Sequence, residues 1–165
     1  MQKIPTVYVR DPDNPRLVTR EITEGCEWVF NGEGTATEKF DGTCCAVIDG
    51  AAMKRRKLGW IEISAADPSD KWHMQGFLNF EPRPIPEGTY ELVGPKVQKN
   101  PYGLERHELW RHGSKELVKA QFYLEFLWEF FEIQDPVEGI VWHHPDGRMA
   151  KIKRRDFGLP WPVKT

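Results

Sequence analysis

Six residues, Thr43-Cys44-Cys45-Ala46-Val47-Ile48, run without a charge and end at Asp49-Gly50. Small and β-branched side chains in so continuous a run suit a central strand covered on both faces. Asp-Gly is a strong hairpin signal, so residues 51–55 should return antiparallel beside it. An internal strand needs partners on both edges, and the chain offers several. Residues 17–22 alternate well enough for a strand, and residues 26–30 form a second short candidate closed by Asn31-Gly32. Residues 60–63, 88–94 and 105–111 follow. Residues 138–142 and 149–152 read as a final hairpin across His144-Pro145-Asp146-Gly147.

One helix is expected, over residues 114–133. Leu117, Gln121, Leu124, Trp128 and Phe131 share a face there, widened by Val118, Phe122, Leu127 and Phe130. Ser114 would cap it and Asp135-Pro136 would stop it. Residues 65–86, rich in Asp, Pro and Trp without periodicity, read as a long loop. Strand signals outnumber helix signals, so the class is α+β around antiparallel sheet.

At 165 residues the chain is read as one domain, 1–165. It has an extended, weakly ordered lead-in at 1–15 and a short proline-rich tail at 160–165. A net charge of −2 gives no global attraction to nucleic acid, so any polyanion site must be a local patch. No apolar run approaches about 18 residues and the start lacks a signal-peptide core, which points to a cytoplasmic protein off the membrane. Three cysteines, two of them adjacent, read as reduced core residues, and their spacing with the histidines fits no zinc pattern.

The chemistry gathers around Lys39, which stands just before the Phe40-Asp41-Gly42 turn and the buried run. A lysine before an Asp-Gly turn is common in surface hairpins, so Lys39 alone is ambiguous between a turn residue and a nucleophile. Its company sharpens the reading. Lys54 and Arg55 lie on one strand, Glu91 on another, and Glu138 precedes an apolar strand. Lys151 and Lys153 point to one face of a strand while Ile152 points to the other. Unpaired charges on apolar strands are costly, and two ammonium groups on one face call for an anion above them. A nucleoside triphosphate satisfies that. Neighbouring cations favour loss of a proton from an amine nucleophile. Two carboxylates, Glu91 and Glu138, suit Mg²⁺ or a ribose hydroxyl. The expected reaction is attack of Lys39 on the α-phosphorus of that triphosphate, expelling pyrophosphate and leaving a lysine–nucleotide phosphoramidate.

This order of elements resembles the covalent nucleotidyltransferase superfamily, which holds polynucleotide ligases and messenger-RNA capping enzymes. KFDG looks like its nucleotidyl-lysine motif, with Lys39 as nucleophile. Lys54-Arg55 resembles the second motif, Tyr90-Glu91 the third, Glu138-Gly139-Ile140-Val141 the fourth and Lys151-Ile152-Lys153 the fifth. Longer stretches, EWVFNGEGTATEKFDGTCC, ELVGPKVQKNPYGL and EGIVWHHPDGRMAKIKRRDFGLPWP, resemble the small ATP-dependent RNA ligase family that includes the human 5′-to-3′ RNA ligase.

That resemblance implies an ATP-grasp-like ligase adenylation domain of two mainly antiparallel sheets with flanking helices. It implies ATP, Mg²⁺ or Mn²⁺, and a role in RNA repair. The RNA 5′-phosphate would join a 3′-hydroxyl through Lys39-AMP and an adenylylated RNA end. Lys151 and Lys153 would act with Lys39. Glu38, Asp41, Gly42, Lys54, Arg55, Glu91, Trp110 and Glu138 would bind ATP, with Glu138 and Glu91 also at the metal. Trp110 stands where relatives stack an aromatic on adenine, but a core tryptophan fits equally. Glu38 could meet adenine or solvent. Arg148, Arg154 and Arg155 form a candidate RNA-phosphate patch or a solvated face. Superfamily members with an OB domain carry it after the fifth motif; with a dozen residues left, none is expected here. RNA binding could then call on a protein partner. The alternatives are DNA-nick sealing, capping-type transfer, or a degenerate nucleotide- or RNA-binding module.

Overall fold

The computed structural model describes residues 3–133 and 136–163. In chain order the elements begin with β1 (Tyr8–Arg10), β2 (Val18–Ile22), α1 (Glu27–Phe30) and β3 (Thr35–Lys39). Then come β4 (Thr43–Ile48), β5 (Ala51–Arg56), β6 (Gly59–Glu62), α2 (Lys71–Asn79), β7 (Gly88–Val93) and β8 (Glu108–Arg111). The series closes with α3 (Leu127–Ile133), β9 (Gly139–His143) and β10 (Met149–Lys153). The class is α+β, with antiparallel sheets of two, three and five strands. No described helix is long and apolar enough to cross a membrane.

The described residues form two compact units, one running to Lys39 and resuming at Gly113, the other spanning Phe40–His112. The second unit is built on the five-stranded sheet β6-β5-β4-β7-β8, with β4 in the middle as its apolar run demands. Cys45, Tyr90, Leu92 and Leu109 turn to one face and pack with Phe77 of α2. Gly76 lets that helix approach, because a Cβ there would stand 2.4 Å from Leu92 Cδ1. Asp67 accepts from the Ser69 N–H at 2.9 Å and starts the 3-10 turn that leads into α2. Residues 65–86 are therefore not a continuous loop. The mid-helix glycine and flanking prolines had hidden the helical period.

In the first unit, β10-β9-β3 carries a core of Val7, Val29, Phe130, Phe131, Ile140, Trp142 and Ile152. Each such large side chain contributes roughly 1.5–3 kcal/mol on burial. Two further expectations change here. Residues 26–30 form the short helix α1 rather than a strand, placing Trp28 and Val29 together in the core. The 114–133 helix is absent as one rod. Val118–Tyr123 is a 3-10 turn and only Leu127–Ile133 is α-helical. The cause is tertiary: β3 needs a partner on its open edge. Glu38 N–H donates to Lys115 O at 2.8 Å, and Leu117 N–H to Ala36 O at 2.9 Å. Residues 115–117 are thereby held extended against β3. The Asp135 half of the expected stop lies outside the described residues. The lead-in also has structure, since β1 pairs with β2 and Val7 is fully buried.

Candidate active site

The first unit aligns Lys39, Gly139 and Lys153 in one row across β3, β9 and β10. The next row is Thr37, Val141 and Lys151. Directly opposed residues of an antiparallel sheet share a face, so Lys39, Lys151 and Lys153 project together. Ile140 and Ile152 fill the core on the other side. Lys39 and Lys153 stand two strand spacings apart, about 10 Å. The residue between them is glycine, which leaves the space above the sheet open. A Cβ at Gly139 would lie 2.3 Å from Ile152 O, so the backbone itself excludes any larger residue.

Lys39 Nζ donates to Glu138 Oε2 at 2.6 Å, with the Glu138 side chain 11% exposed and Lys39 25%. Glu138 O accepts from the Arg154 N–H at 2.9 Å, which fixes the start of β9. Burial holds the Lys151 ammonium below its ordinary pKa, and the charges of Lys153, Lys39 and Lys3 push it further down. Crowded cations on one sheet face are thus a physical fact of the fold. Glu38 faces the other way, buried, in an ion pair with Lys115 at 2.5 Å.

The second unit presents a polar face of its own. Gly42 N–H donates to Glu91 Oε1 at 3.0 Å, while His112 Nε2 meets Glu91 Oε2 at 2.7 Å. His112 Nδ1 in turn meets Thr89 Oγ1 at 2.9 Å. Gly42 is obligatory here, because a Cβ would stand 2.1 Å from Leu92 O. Trp110 lies directly opposite Glu91 on β8 and packs edge-on against Phe40 at 5.1 Å between ring centres. Tyr102 lies 4.6 Å from the Trp110 ring, and its Oη accepts the Asp41 N–H at 2.6 Å. Sequence alone assigns no physical role to Tyr102 or His112. The available signals were a Tyr in the Asn100–Gly103 turn and a His two residues beyond Trp110 on an alternating strand.

Lys54 and Arg55 part company. Lys54 is buried opposite Cys45 and ion-paired with the fully buried Asp70. Arg55 takes the opposite face by alternation, its guanidinium 5.6 Å from the Trp60 ring centre. The basic run near the C-terminus also divides. Arg154 turns inward and donates to Phe131 O at 2.5 Å and Pro160 O at 3.1 Å. Arg148 and Arg155 remain on the surface. Arg148 pairs with Asp146 at 2.8 Å, and Arg155 donates to Trp161 O at 2.6 Å. Arg154 is thus a structural tie and not part of a surface patch. Among the described residues no three His, Cys, Asp or Glu side chains gather into a metal-holding group.

Comparison with known proteins adds an independent line. A family model described as RNA ligase 1 matches residues 71–165. The RNA ligase 1 of Danio rerio is 43% identical over 86 residues, covering 47% of this chain and 26% of the relative. That of Pongo abelii is 34% identical over 113 residues, covering 64% and 30%, and that of Rattus norvegicus 36% over 135 residues, covering 64% and 42%. The chain thus spans between about a quarter and two-fifths of the length of these relatives. With the family model covering more than half of its residues, the chain belongs to the RNA ligase 1 family.

Proposed function

We propose that this chain carries the nucleotidyl-transfer centre of an ATP-dependent RNA ligase, with Lys39 as the residue that accepts AMP. Family membership supports the ligase class, and the observation that carries the mechanism is the row Lys39–Gly139–Lys153 with Lys151 beside it. Three amines on one rigid sheet face, one already 2.6 Å from a carboxylate, suit a nucleotide phosphate better than they suit each other.

Lys39 Nζ, once freed of a proton, attacks the α-phosphorus. The N–P bond forms as the P–O bond to the β-phosphate breaks, and pyrophosphate leaves with the electron pair. The amine's protons pass to solvent by way of Glu138 Oε2. Lys151 and Lys153 neutralise charge on the phosphates, and the flat strand backbone keeps all three amines in place. The AMP then moves to the 5′-phosphate of RNA, whose 3′-hydroxyl partner displaces it. By the family resemblance, Trp110, Arg55 and Glu91 of the other unit are proposed as nucleotide contacts. Asp41 and Gly42 shape the turn that follows Lys39.

Lys54 and Glu38 support their strands through Asp70 and Lys115. Of the two carboxylates, Glu138 fits a divalent ion. Glu91 has a donor on each oxygen, whereas Glu138 stands at the amine where phosphate would arrive. Mg²⁺ or Mn²⁺ held by Glu138 and the ATP phosphates would supply charge neutralisation, as one or two carboxylates commonly do. Arg148 and Arg155 are proposed to meet RNA phosphate. Buried cysteines, including Cys45 whose thiol pKa burial raises, fit a reducing cytoplasmic setting.

The test is incubation with a divalent ion and ATP or GTP labelled at the α-phosphate. Acid-labile, alkali-stable label from ATP that vanishes in Lys39→Ala is the expected result. Label from GTP alone points to capping chemistry, and absence of label with every metal overturns the enzymatic reading.

A further inference from the structure

One peptide bond joins Lys39 to the turn Phe40-Asp41-Gly42, and the loop between β7 and β8 takes hold of that turn. Asp41 N–H donates to Tyr102 Oη at 2.6 Å, and Gln98 Nε2 donates to Gly42 O at 3.2 Å. Gly42 N–H goes to Glu91 on β7 at 3.0 Å. Side chains thus meet three backbone groups of the turn that would otherwise be left to water. The loop is itself firmly built. Val97 is buried in the apolar cluster of this unit, and Lys96 N–H donates to His107 Nε2 at 3.2 Å. Gln98, Lys99 and Asn100 then take consecutive left-handed conformations, with φ of 50°, 61° and 53°. Non-glycine residues avoid that region, and a run of three is strained. Asn100 locks it, because its Nδ2 donates to Leu104 O at 3.0 Å and its Oδ1 accepts the Leu104 N–H at 2.9 Å. Strain of this kind gathers at functional sites, where the surrounding structure over-determines it. Here the strained run separates Gln98 from Tyr102, the two loop residues that hold the turn.

We propose that residues 94–104 form a clamp on this turn that sets the direction of Lys39, with Tyr102 and Gln98 as positioning residues for adenylylation. The inference rests on the reading of Lys39 as the attacking amine. An amine aimed at phosphorus loses rate steeply when displaced, about 100-fold for 1 Å. On its N-terminal side Lys39 is fixed by the pairing of β3 with β9. On its C-terminal side the chain enters the turn at once, and a turn free to pivot would leave the lysine held from one end only. Tyr102 and Gln98 remove that freedom by bonding to the backbone of Asp41 and Gly42. Both act through the backbone, so losing either should slow the reaction of bound ATP and leave its binding nearly unchanged. The Tyr102 ring serves separately, packing 4.6 Å from Trp110, and a phenylalanine there would keep that contact.

Two measurements on the full chain test it, comparing wild type with Tyr102→Phe and Gln98→Ala. In the first, amide hydrogen exchange is followed residue by residue. In Tyr102→Phe the Asp41 amide should exchange about tenfold faster than in wild type, while the amides of β4 keep their protection. In the second, the rate of labelling is followed against ATP concentration. Tyr102→Phe should lower the maximal rate about tenfold and leave the ATP concentration for half-maximal rate within about twofold. Gln98→Ala should show the same split with a loss of about threefold. Unchanged exchange at Asp41 overturns the clamp. Faster exchange with an unchanged rate, or a raised ATP requirement at full rate, overturns the positioning role, the latter by making Tyr102 a nucleotide contact. Should Tyr102→Phe fail to fold, the exposed Gln98 decides, and a full rate in folded Gln98→Ala overturns the proposal. If wild type takes no label, the reading of Lys39 fails and the positioning role with it, whereas fast exchange at Asp41 in Tyr102→Phe would still establish the clamp.

Discussion

At the scale of the residue, Lys39 and Lys151 are held by opposite forces. Lys39 has a carboxylate at 2.6 Å, and removing that charge while keeping the shape isolates its role. Glu138→Gln should reduce labelling of Lys39 by roughly 100-fold, a loss typical of one electrostatic contact at a reacting group. Its thermal midpoint should fall only modestly, because the amide oxygen can still accept from Lys39. Retention of full labelling in a folded Glu138→Gln protein would remove Glu138 from the proposed chemistry. Lys151 is the reverse case, a cation among cations. Lys151→Met keeps the length and deletes the charge, so it should stabilise the protein near neutral pH by roughly 0.5 kcal/mol while impairing adenylylation. The sign of the pH dependence follows from the depressed pKa. Between that value and the ordinary 10.5, the unfolded chain binds more protons than the folded one. Wild-type stability therefore gains relative to the variant as pH rises through that window, and the gap should narrow. Urea unfolding of both proteins at several pH values checks this; a gap that widens with pH contradicts it.

At the scale of the element, the buried ion pair of Lys54 and Asp70 joins β5 to the turn that launches α2. Asp70 is fully buried and also accepts the Ser64 N–H at 2.9 Å. Burial alone would raise its pKa, but Lys54 and the Ser64 N–H outweigh it and the net shift is downward. The stabilisation is therefore present above the ordinary value of 3.8 and is lost as pH falls through the lower folded value. Asp70→Ala should cost roughly 3–5 kcal/mol by stranding Lys54, and adding Lys54→Met should recover much of it. Denaturant unfolding reads both, and a fully additive double variant would contradict the coupling. Elements of this kind also show what sequence could and could not reveal. The Thr43–Ile48 run gave a central strand with its hairpin partner because apolar continuity and Asp-Gly act locally. The facing of Lys151 and Lys153 followed from alternation alone. The 114–133 helix did not survive, because the edge of β3 captured residues 115–117, a demand invisible to helical periodicity. Lys54 looked like a ligand contact because nothing local announces Asp70, sixteen residues away in sequence.

At the scale of the whole molecule, the chain leaves one compact unit after Lys39 and returns to it at Gly113. The residues proposed for the phosphates, Lys39, Glu138, Lys151 and Lys153, all belong to the unit made of two chain segments. Sequence grouped them by motif order and by the facing of Lys151 and Lys153, whereas the pairing of β3, β9 and β10 brings the three lysines into rows. The other unit, Phe40–His112, is continuous, with its own five-stranded sheet and its own apolar cluster of Cys45, Tyr90, Leu92, Leu109 and Phe77. A segment of about this size is near the lower limit for independent folding, yet its five-stranded sheet and its apolar cluster both lie within it. Expressed alone, Phe40–His112 should unfold cooperatively in urea and protect the amides of β4 and β7 from exchange. It should bind tripolyphosphate no better than a matched salt control, because Lys39, Lys151 and Lys153 are absent. A non-cooperative fragment would show that β4 draws its stability from residues beyond its own sheet. A fragment that binds tripolyphosphate would move the phosphate site away from β10.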